Sequence, residues 1–190
     1  NRADIPAPRN DFWHSDISFA ECPPLGSVLY ALEVPGEGLG DTLFCNMYSV
    51  LEELSPGLQK TLECLRALHS AEALVRRNNE GDNNAKSIAS IPSIVSHPVV
   101  RTHPETGRKA LYVNPCYTES FVGWTPEESR LLIEWLMQLA TRQENIYRHS
   151  WRQGDVLMWD NRCAMHYAGY DYGSKPRLFH RATAAGDRPV

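Results

Sequence analysis

Two residues near the start of the chain and three near its end have the types and spacing to do chemistry together. In "NDFWHSDISF", residues 10–19, His14 and Asp16 stand two apart. Side chains at i and i+2 of an extended segment point to the same side, so the imidazole and the carboxylate can converge on one point. That is the geometry of a metal chelate, and equally that of a hydrogen-bonded strand pair. A third ligand has to come from elsewhere among the seven histidines. His69 is read as closing a helix, where a cation suits the macrodipole. His97 and His103 precede prolines at hairpin ends, and His149 sits in a strand of mixed polarity. His166 stands apart. In "GDVLMWDNRCAMHYAGYDYGSKPRLFHRAT" a buried strand leads through "WDN" to His166 and on to Arg177 and Arg181. The two arginines, four apart on a final strand, point to one face.

Two histidines and one carboxylate leave three positions open on an octahedral ion, the arrangement used by non-haem Fe(II) oxygenases. A bidentate 2-oxo acid takes two of those positions and dioxygen the third. Arginine suits the far carboxylate of such an acid, because its planar fork pairs with carboxylates bidentately.

The elements that must position these residues follow from patterning. Residues 1–11 are polar and proline-rich and read as an extended entry segment. "PPLGSVLYALEV" (23–34) reads as a strand with Val28, Tyr30 and Leu32 on one face, and a glycine-rich turn leads into a second strand, Thr42 to Asn46. In "SPGLQKTLECLRAL" (55–68), Leu58, Leu62, Leu65 and Leu68 predict an amphipathic helix capped by Ser55 with Pro56 at its first position. The polar segment 76–87 reads as a loop, either a lid or a plain surface insertion. "HPVVRTHPETGRKALYVN" (97–114) predicts a hairpin. Residues 125–143 predict a helix with Thr125 as cap, Pro126 opening it, Glu128 completing a capping box, and Leu131, Leu132, Trp135, Leu136 and Leu139 as its stripe. "NIYRHSW", "GDVLMWDN" and "RLFHRAT" are strand-like. The expectation is one β-rich domain with two helices.

Composition narrows the function classes. The 190 residues, 42% hydrophobic, can bury one substantial core. A net charge of −4, with Lys and Arg scattered, argues against a nucleic-acid surface. The five cysteines are odd in number and form no CxxC, so neither a disulfide framework nor a zinc ribbon is expected, and a reducing, cytoplasmic setting fits. No apolar run marks a signal peptide or a membrane span. The first residue is Asn, which suits a piece of a longer chain.

The stretches "WHSDISFAECPPLGSVL", "GDTLF", "HPVVRTHPETGRKALYVN", "WDNRCAMHYAGYDYGSKPR" and "HRATAAGDRP" run in order through nearly the whole chain. On them the protein resembles the taurine dioxygenase family of Fe(II)- and 2-oxoglutarate-dependent dioxygenases, which includes alkylsulfatases and phenoxyalkanoate dioxygenases. The resemblance implies a mostly β fold with flanking helices, a double-stranded β-helix or jelly-roll barrel. It implies Fe(II) held by His14, Asp16 and His166, a 2-oxoglutarate carboxylate hydrogen-bonded by Thr42, and its distal carboxylate paired with Arg177. Arg181 matches the arginine that binds a sulfonate, sulfate or carboxylate of the substrate, and Asn10 and Tyr117 match positions lining the substrate pocket. It further implies that dioxygen is consumed, that 2-oxoglutarate is converted to succinate and CO2, and that a small anionic substrate is hydroxylated by a dimeric or tetrameric assembly. Relatives carry several dozen residues before the His-x-Asp motif, so residues 1–190 are expected to be a single catalytic domain lacking the N-terminal portion of the family fold.

Other readings stay open. Thr42 also reads as a plain strand-start threonine, and the arginines as members of a surface ion pair. Trp13 and Trp159 read as either pocket wall or plain core. A zinc hydrolase would use the same three ligands, with no need of the arginines or of "GDT". A non-catalytic barrel serving as a binding module is the remaining alternative. Dependence on 2-oxoglutarate separates the oxygenase from both.

Overall fold

The computed structural model describes residues 12–72 and 94–190. Asn10 and the polar segment 76–87 lie outside the described residues.

Three three-stranded antiparallel sheets and a hairpin carry the described chain. The first sheet places β1 (Gly26–Glu33) between β11 (Leu178–Ala184) and β9 (Val156–Asp160). The second places β2 (Thr42–Asn46) between β10 (Ala164–Ala168) and β8 (Ile146–His149). In the third, β3 (Arg66–His69) lies between β4 (Val95–Pro98) and β7 (Thr118–Phe121), and β5 (Val100–Thr102) pairs with β6 (Lys109–Leu111) around the expected hairpin turn. The first two sheets face each other through aromatic contacts. Phe44 of β2 meets Trp159 of β9 at 5.5 Å between ring centroids, and Trp159 meets His166 of β10 at 4.8 Å. The face of β1 that carries Ser27 and Ala31 is the buried one, while Tyr30, from the face with Val28 and Leu32, is exposed.

Where patterning and structure part, tertiary pairing is the reason. The helix expected over 55–68 ends at Glu63 as α2 (Pro56–Glu63), with Ser55 as its cap, as read. Leu65 lies outside it, and Leu68 and His69 belong to β3. Four leucines at helical spacing are also compatible with a short helix followed by a strand, and pairing with β4 on one side and β7 on the other decides for the strand. His69 therefore does not close a helix; it is a buried strand residue.

A further helix, α1 (Met47–Glu52), follows β2 without a loop. Asn46 ends the strand and caps the helix, accepting from the Tyr48 and Ser49 amides. Six residues are too few to show a period, so the two-helix expectation falls short of the three α-helices among the described residues.

The last helix, α3 (Pro126–Ala140), has the Thr125 cap and the reciprocal Glu128 bond of a full capping box. Its buried face runs through Ile133, Leu136, Met137, Leu139 and Ala140, whereas Leu131 and Trp135 of the expected stripe are exposed. The sequence offers two overlapping apolar stripes, and packing selects the one rotated toward Met137. Thr125→Ala should cost about 1 kcal/mol, lowering the melting temperature by roughly 2–4 °C for a domain of this size. A thermal melt of the variant against wild type checks it.

Candidate functional site

His166 is the midpoint of β10, and its backbone holds the segment that carries the other two candidate ligands. His14 N–H donates to the His166 carbonyl at 3.0 Å, and His166 N–H returns a bond to the His14 carbonyl at 2.8 Å. This isolated bridge is the full extent of extended pairing there. Asp16 lies not on a strand, as the spacing suggested, but at the start of a tight turn. Ile17, the next residue, has φ +48°, a conformation that costs a β-branched residue roughly 1–3 kcal/mol and persists only when its surroundings impose it. The bridge and the turn together fold the His-x-Asp segment back onto β10.

The three side chains meet. His14 Nε2 is 3.7 Å and His166 Nε2 is 3.5 Å from the same Asp16 oxygen, Oδ1. All three donor atoms lie within 4.8 Å of one another, and all three residues are buried. His14 Nδ1 lies 2.7 Å from the Phe12 carbonyl. That contact requires the proton on Nδ1 and leaves the Nε2 lone pair facing Asp16. His166 Nδ1 has no hydrogen-bond partner among the described residues, so nothing opposes the same tautomer there.

Electrostatics set the matching protonation states. Burial lowers the pKa of His14, and burial together with the neighbouring His14 lowers that of His166, so both rings are neutral. Burial alone would raise Asp16. The Arg181 guanidinium, by its charge and its hydrogen bond, and the hydrogen bond from Ser27 act against this and hold the carboxyl below the usual carboxylate range. Two neutral imidazoles and an ionised carboxylate, converging in a buried site, fit a divalent transition metal.

Two residues that sequence reasoning passed over, Ser27 and Asn161, join Arg181 in preparing Asp16 for this role. Its second oxygen, Oδ2, accepts from Ser27 Oγ at 2.7 Å, from Asn161 Nδ2 at 3.1 Å and from Arg181 Nη2. Asn161 is itself oriented by Trp159, whose indole N–H donates to Asn161 Oδ1 at 2.9 Å. With Oδ2 occupied, Oδ1 is the oxygen left for an ion. The "WDN" string was visible in the sequence, but nothing there says that its Asn reaches a carboxylate near the other end of the chain. Asn161→Ala should weaken divalent-metal affinity by about 10–100-fold, the usual effect of losing such an outer partner. Calorimetric titration of the apo-protein with Fe(II) or Mn(II) reads this directly.

Beside the triad lies a second group of polar residues. Thr42 and Phe44 of β2 stand opposite Ala168 and His166 of β10, so Thr42 shares the face on which His166 points inward. Thr42 is buried and accepts from the Trp151 indole at 2.9 Å. Arg177 immediately precedes β11 and is held by its neighbours. Its Nε donates to the Gly40 carbonyl at 3.0 Å, and its guanidinium lies 4.4 Å above the Phe179 ring. Gly40 has φ +64°, and a Cβ there would meet Arg177 at 3.0 Å. That position therefore requires glycine twice over, for its backbone conformation and for the space the arginine fills. Burial lowers the Arg177 pKa, the mark of a cation taken partly out of water. A threonine hydroxyl and a desolvated guanidinium fit a carboxylate.

Arg181 is placed differently. One nitrogen pairs with Asp16 and also reaches Ser27 Oγ at 3.1 Å, yet the side chain is 40% exposed. Its fork is shared between the site floor and the open side. Tyr117 is buried, with its ring edge-on to His14 at 6.2 Å. Trp159 is a site wall in contact with His166, and Trp13 packs against Tyr167 at 5.7 Å.

A second cluster with ligand-type atoms, His103, Asp160 and Cys163, is accounted for by hydrogen bonding. His103 Nδ1 accepts from the Glu105 and Thr106 amides, leaving Nε2–H to donate to Asp160, which Arg162 also holds. The five cysteines are all free thiols, and no helix among the described residues is long and apolar enough to cross a membrane.

Comparison with known proteins gives this geometry its context. The sequence profile of the "Taurine catabolism dioxygenase TauD, TfdA family" matches residues 1–183. An alkylsulfatase of Acinetobacter baylyi is 37% identical over 185 residues, covering 94% of this chain and 58% of the relative. A 2,4-dichlorophenoxyacetate dioxygenase of Burkholderia sp. is 39% identical over 181 residues, covering 94% and 59%. Among solved structures, a taurine dioxygenase described as putative, from Burkholderia xenovorans, superposes with a TM-score of 0.82 at 34% identity, over 98% of this chain and 63% of that one. AAD-2, in complex with Mn(II) and N-oxalylglycine, superposes with a TM-score of 0.84 at 34% identity, over 95% and 70%. The chain thus spans about six-tenths of the length of the curated relatives it matches. With the profile match running almost from end to end, the chain belongs to the TauD/TfdA family.

Proposed function

We propose that this chain carries the active site of an Fe(II)- and 2-oxoglutarate-dependent dioxygenase that hydroxylates a small anionic organic substrate: a sulfonate, a sulfate ester, or an aryloxy or other carboxylic acid. The observation that carries the reading is the convergence of His14 Nε2, Asp16 Oδ1 and His166 Nε2 within 4.8 Å in a buried site. Two arginines, Arg177 and Arg181, stand beside it for two different anions. Relatives named as acting on sulfate esters and on 2,4-dichlorophenoxyacetate support the anionic substrate class, and the relative bound to Mn(II) and N-oxalylglycine supports the metal and the oxo acid.

In this reading His14, Asp16 and His166 would hold the ion, which supplies dioxygen activation coupled to decarboxylation of 2-oxoglutarate to succinate and CO2. The protein's part is positional. Ser27 and Asn161 keep Asp16 ionised and pointed by one oxygen. Thr42 and Arg177 hold the two ends of the oxo acid at fixed separation, so that it binds in one orientation. Arg181 draws the anionic end of the substrate to the open side. Phe44, Tyr117 and Trp159 surround the centre with apolar surface that excludes bulk water. The two facing antiparallel sheets support a double-stranded β-helix, and the described residues read as one catalytic domain. A cytoplasmic location and a dimeric or tetrameric assembly complete the proposal.

The test is succinate formation by the Fe(II)-loaded protein with 2-oxoglutarate and a panel of alkyl sulfonates, sulfate esters and aryloxyacetates. Succinate is expected above the substrate-free level with at least one anion, and none without Fe(II). Tight metal binding with no interaction between protein and 2-oxoglutarate would instead point to a hydrolytic or non-catalytic metal site.

A further inference from the structure

We propose that Trp151 is the positioning residue of the oxo-acid cradle: its indole N–H occupies one acceptor site of the Thr42 hydroxyl and so biases its proton toward the ligand carboxylate, while its ring supports the Arg177 arm. This inference rests on the assignment of Thr42 and Arg177 to 2-oxoglutarate.

A threonine hydroxyl has one proton and two acceptor sites, and it rotates to suit its neighbours. Left to itself, Thr42 could accept from a ligand or donate to one. The Trp151 N–H can only donate, and it reaches Thr42 Oγ1 at 2.9 Å. Both residues are buried, at 3% and 2% exposure, so water does not compete for the bond. One acceptor site is therefore occupied, and the hydroxyl proton is left to point elsewhere. A carboxylate offers only acceptors, so a hydroxyl pre-set as donor is matched to it, and one free to rotate is not. One direction is closed to the proton before the ligand arrives, a step toward preorganisation.

The same indole reaches the other arm. Its ring lies edge-on to Phe179 with centroids 4.6 Å apart, and Phe179 is the ring over which the Arg177 guanidinium lies at 4.4 Å. His149 also packs edge-on with Trp151, at 4.5 Å between centroids. A buried tryptophan thus connects the two groups that would bind the two ends of one small molecule. Sequence gives little hint of this: Trp151 stands just beyond β8, and its partner Thr42 begins the adjoining strand β2.

The experiment separates the hydrogen bond from the packing. Trp151→Phe keeps a ring against Phe179 and removes the N–H. Calorimetric titration of the Mn(II)-loaded protein with N-oxalylglycine should show affinity about tenfold weaker in Trp151→Phe, as expected when one partner of a buried hydrogen bond is removed, with the Mn(II) affinity unchanged. Thr42→Val should weaken N-oxalylglycine at least as much, and the double variant should be no worse than Thr42→Val alone, because Trp151 acts through Thr42. Wild-type N-oxalylglycine affinity in Trp151→Phe, or losses that add in the double variant, would overturn the proposal. Wild-type affinity in both Thr42→Val and Arg177→Ala would remove the underlying cradle assignment instead. A measurement on the unaltered chain covers the case of a poorly folded variant. In the Zn(II)-loaded protein, one of the five indole N–H resonances should shift when N-oxalylglycine is added, and should not do so in Thr42→Val. Five unmoved indole resonances on saturation would also count against Trp151.

Discussion

His166→Ala is expected to lose divalent-metal binding by well over a hundredfold. Even an outer partner of a ligand typically contributes 10–100-fold, and in the proposed site His166 would supply one of three protein donors. The ring it removes is also one of the contacts between the two facing sheets, through Trp159 at 4.8 Å, and it stacks on Phe44 of its own sheet at 6.1 Å. Loss of fold and loss of metal must therefore be told apart. His166→Gln fills more of the space while lacking the imidazole, and the backbone bridge to His14 needs no side chain. The expected outcome is a folded protein by thermal melt that no longer retains Fe(II) after desalting. Full iron retention in either variant would move the metal away from this triad.

The second large effect is expected at Arg177. Replacing it with alanine should raise the 2-oxoglutarate concentration needed for half-saturation by roughly 30-fold to several thousand-fold, the equivalent of about 2–5 kcal/mol for truncating one partner of a buried charge pair. The structure says why the figure should not be small. The guanidinium is already partly desolvated and braced by Phe179 and the Gly40 carbonyl, so the cost of ordering it is met before the ligand binds. Arg177→Lys should recover only part of the loss, since an ammonium keeps the charge but not the planar fork. Titration of the metal-loaded variants with 2-oxoglutarate measures both, and an unchanged requirement in Arg177→Ala would assign the distal carboxylate to another residue.

How much of this was legible in the sequence depended on the kind of signal. His14 and Asp16 announced themselves by spacing, and His166 by elimination and by the arginines that follow it. Those are statements about residue types along one strand or between short motifs, which a sequence carries directly. The capping box at Thr125 and the hairpin turn around residues 103–108 were legible for the same reason. What the sequence could not express was partnership across strands. Ser27, Asn161 and Trp151 act only because β1 is paired with β9, and because β2 lies between β8 and β10. The same gap explains the strand β3 hidden in a helical leucine period, and the choice of Met137 over Leu131 as a buried position. In each case local pattern left two answers, and packing chose between them. Arg181 shows the limit most clearly: its type and place pointed to a substrate anion, whereas the structure also gives it a direct bond to the Asp16 carboxylate.

In the proposed site one buried triad binds iron, and 2-oxoglutarate then joins it through Thr42 and Arg177. Anaerobic titration of the apo-protein with Fe(II), followed by 2-oxoglutarate, tests this most directly, because an oxo acid chelated to ferrous iron gives a weak visible charge-transfer band that neither component gives alone. The band should appear with wild-type protein on the second addition and be absent from His166→Gln. Iron bound by the wild-type protein with no band at saturating 2-oxoglutarate would contradict it.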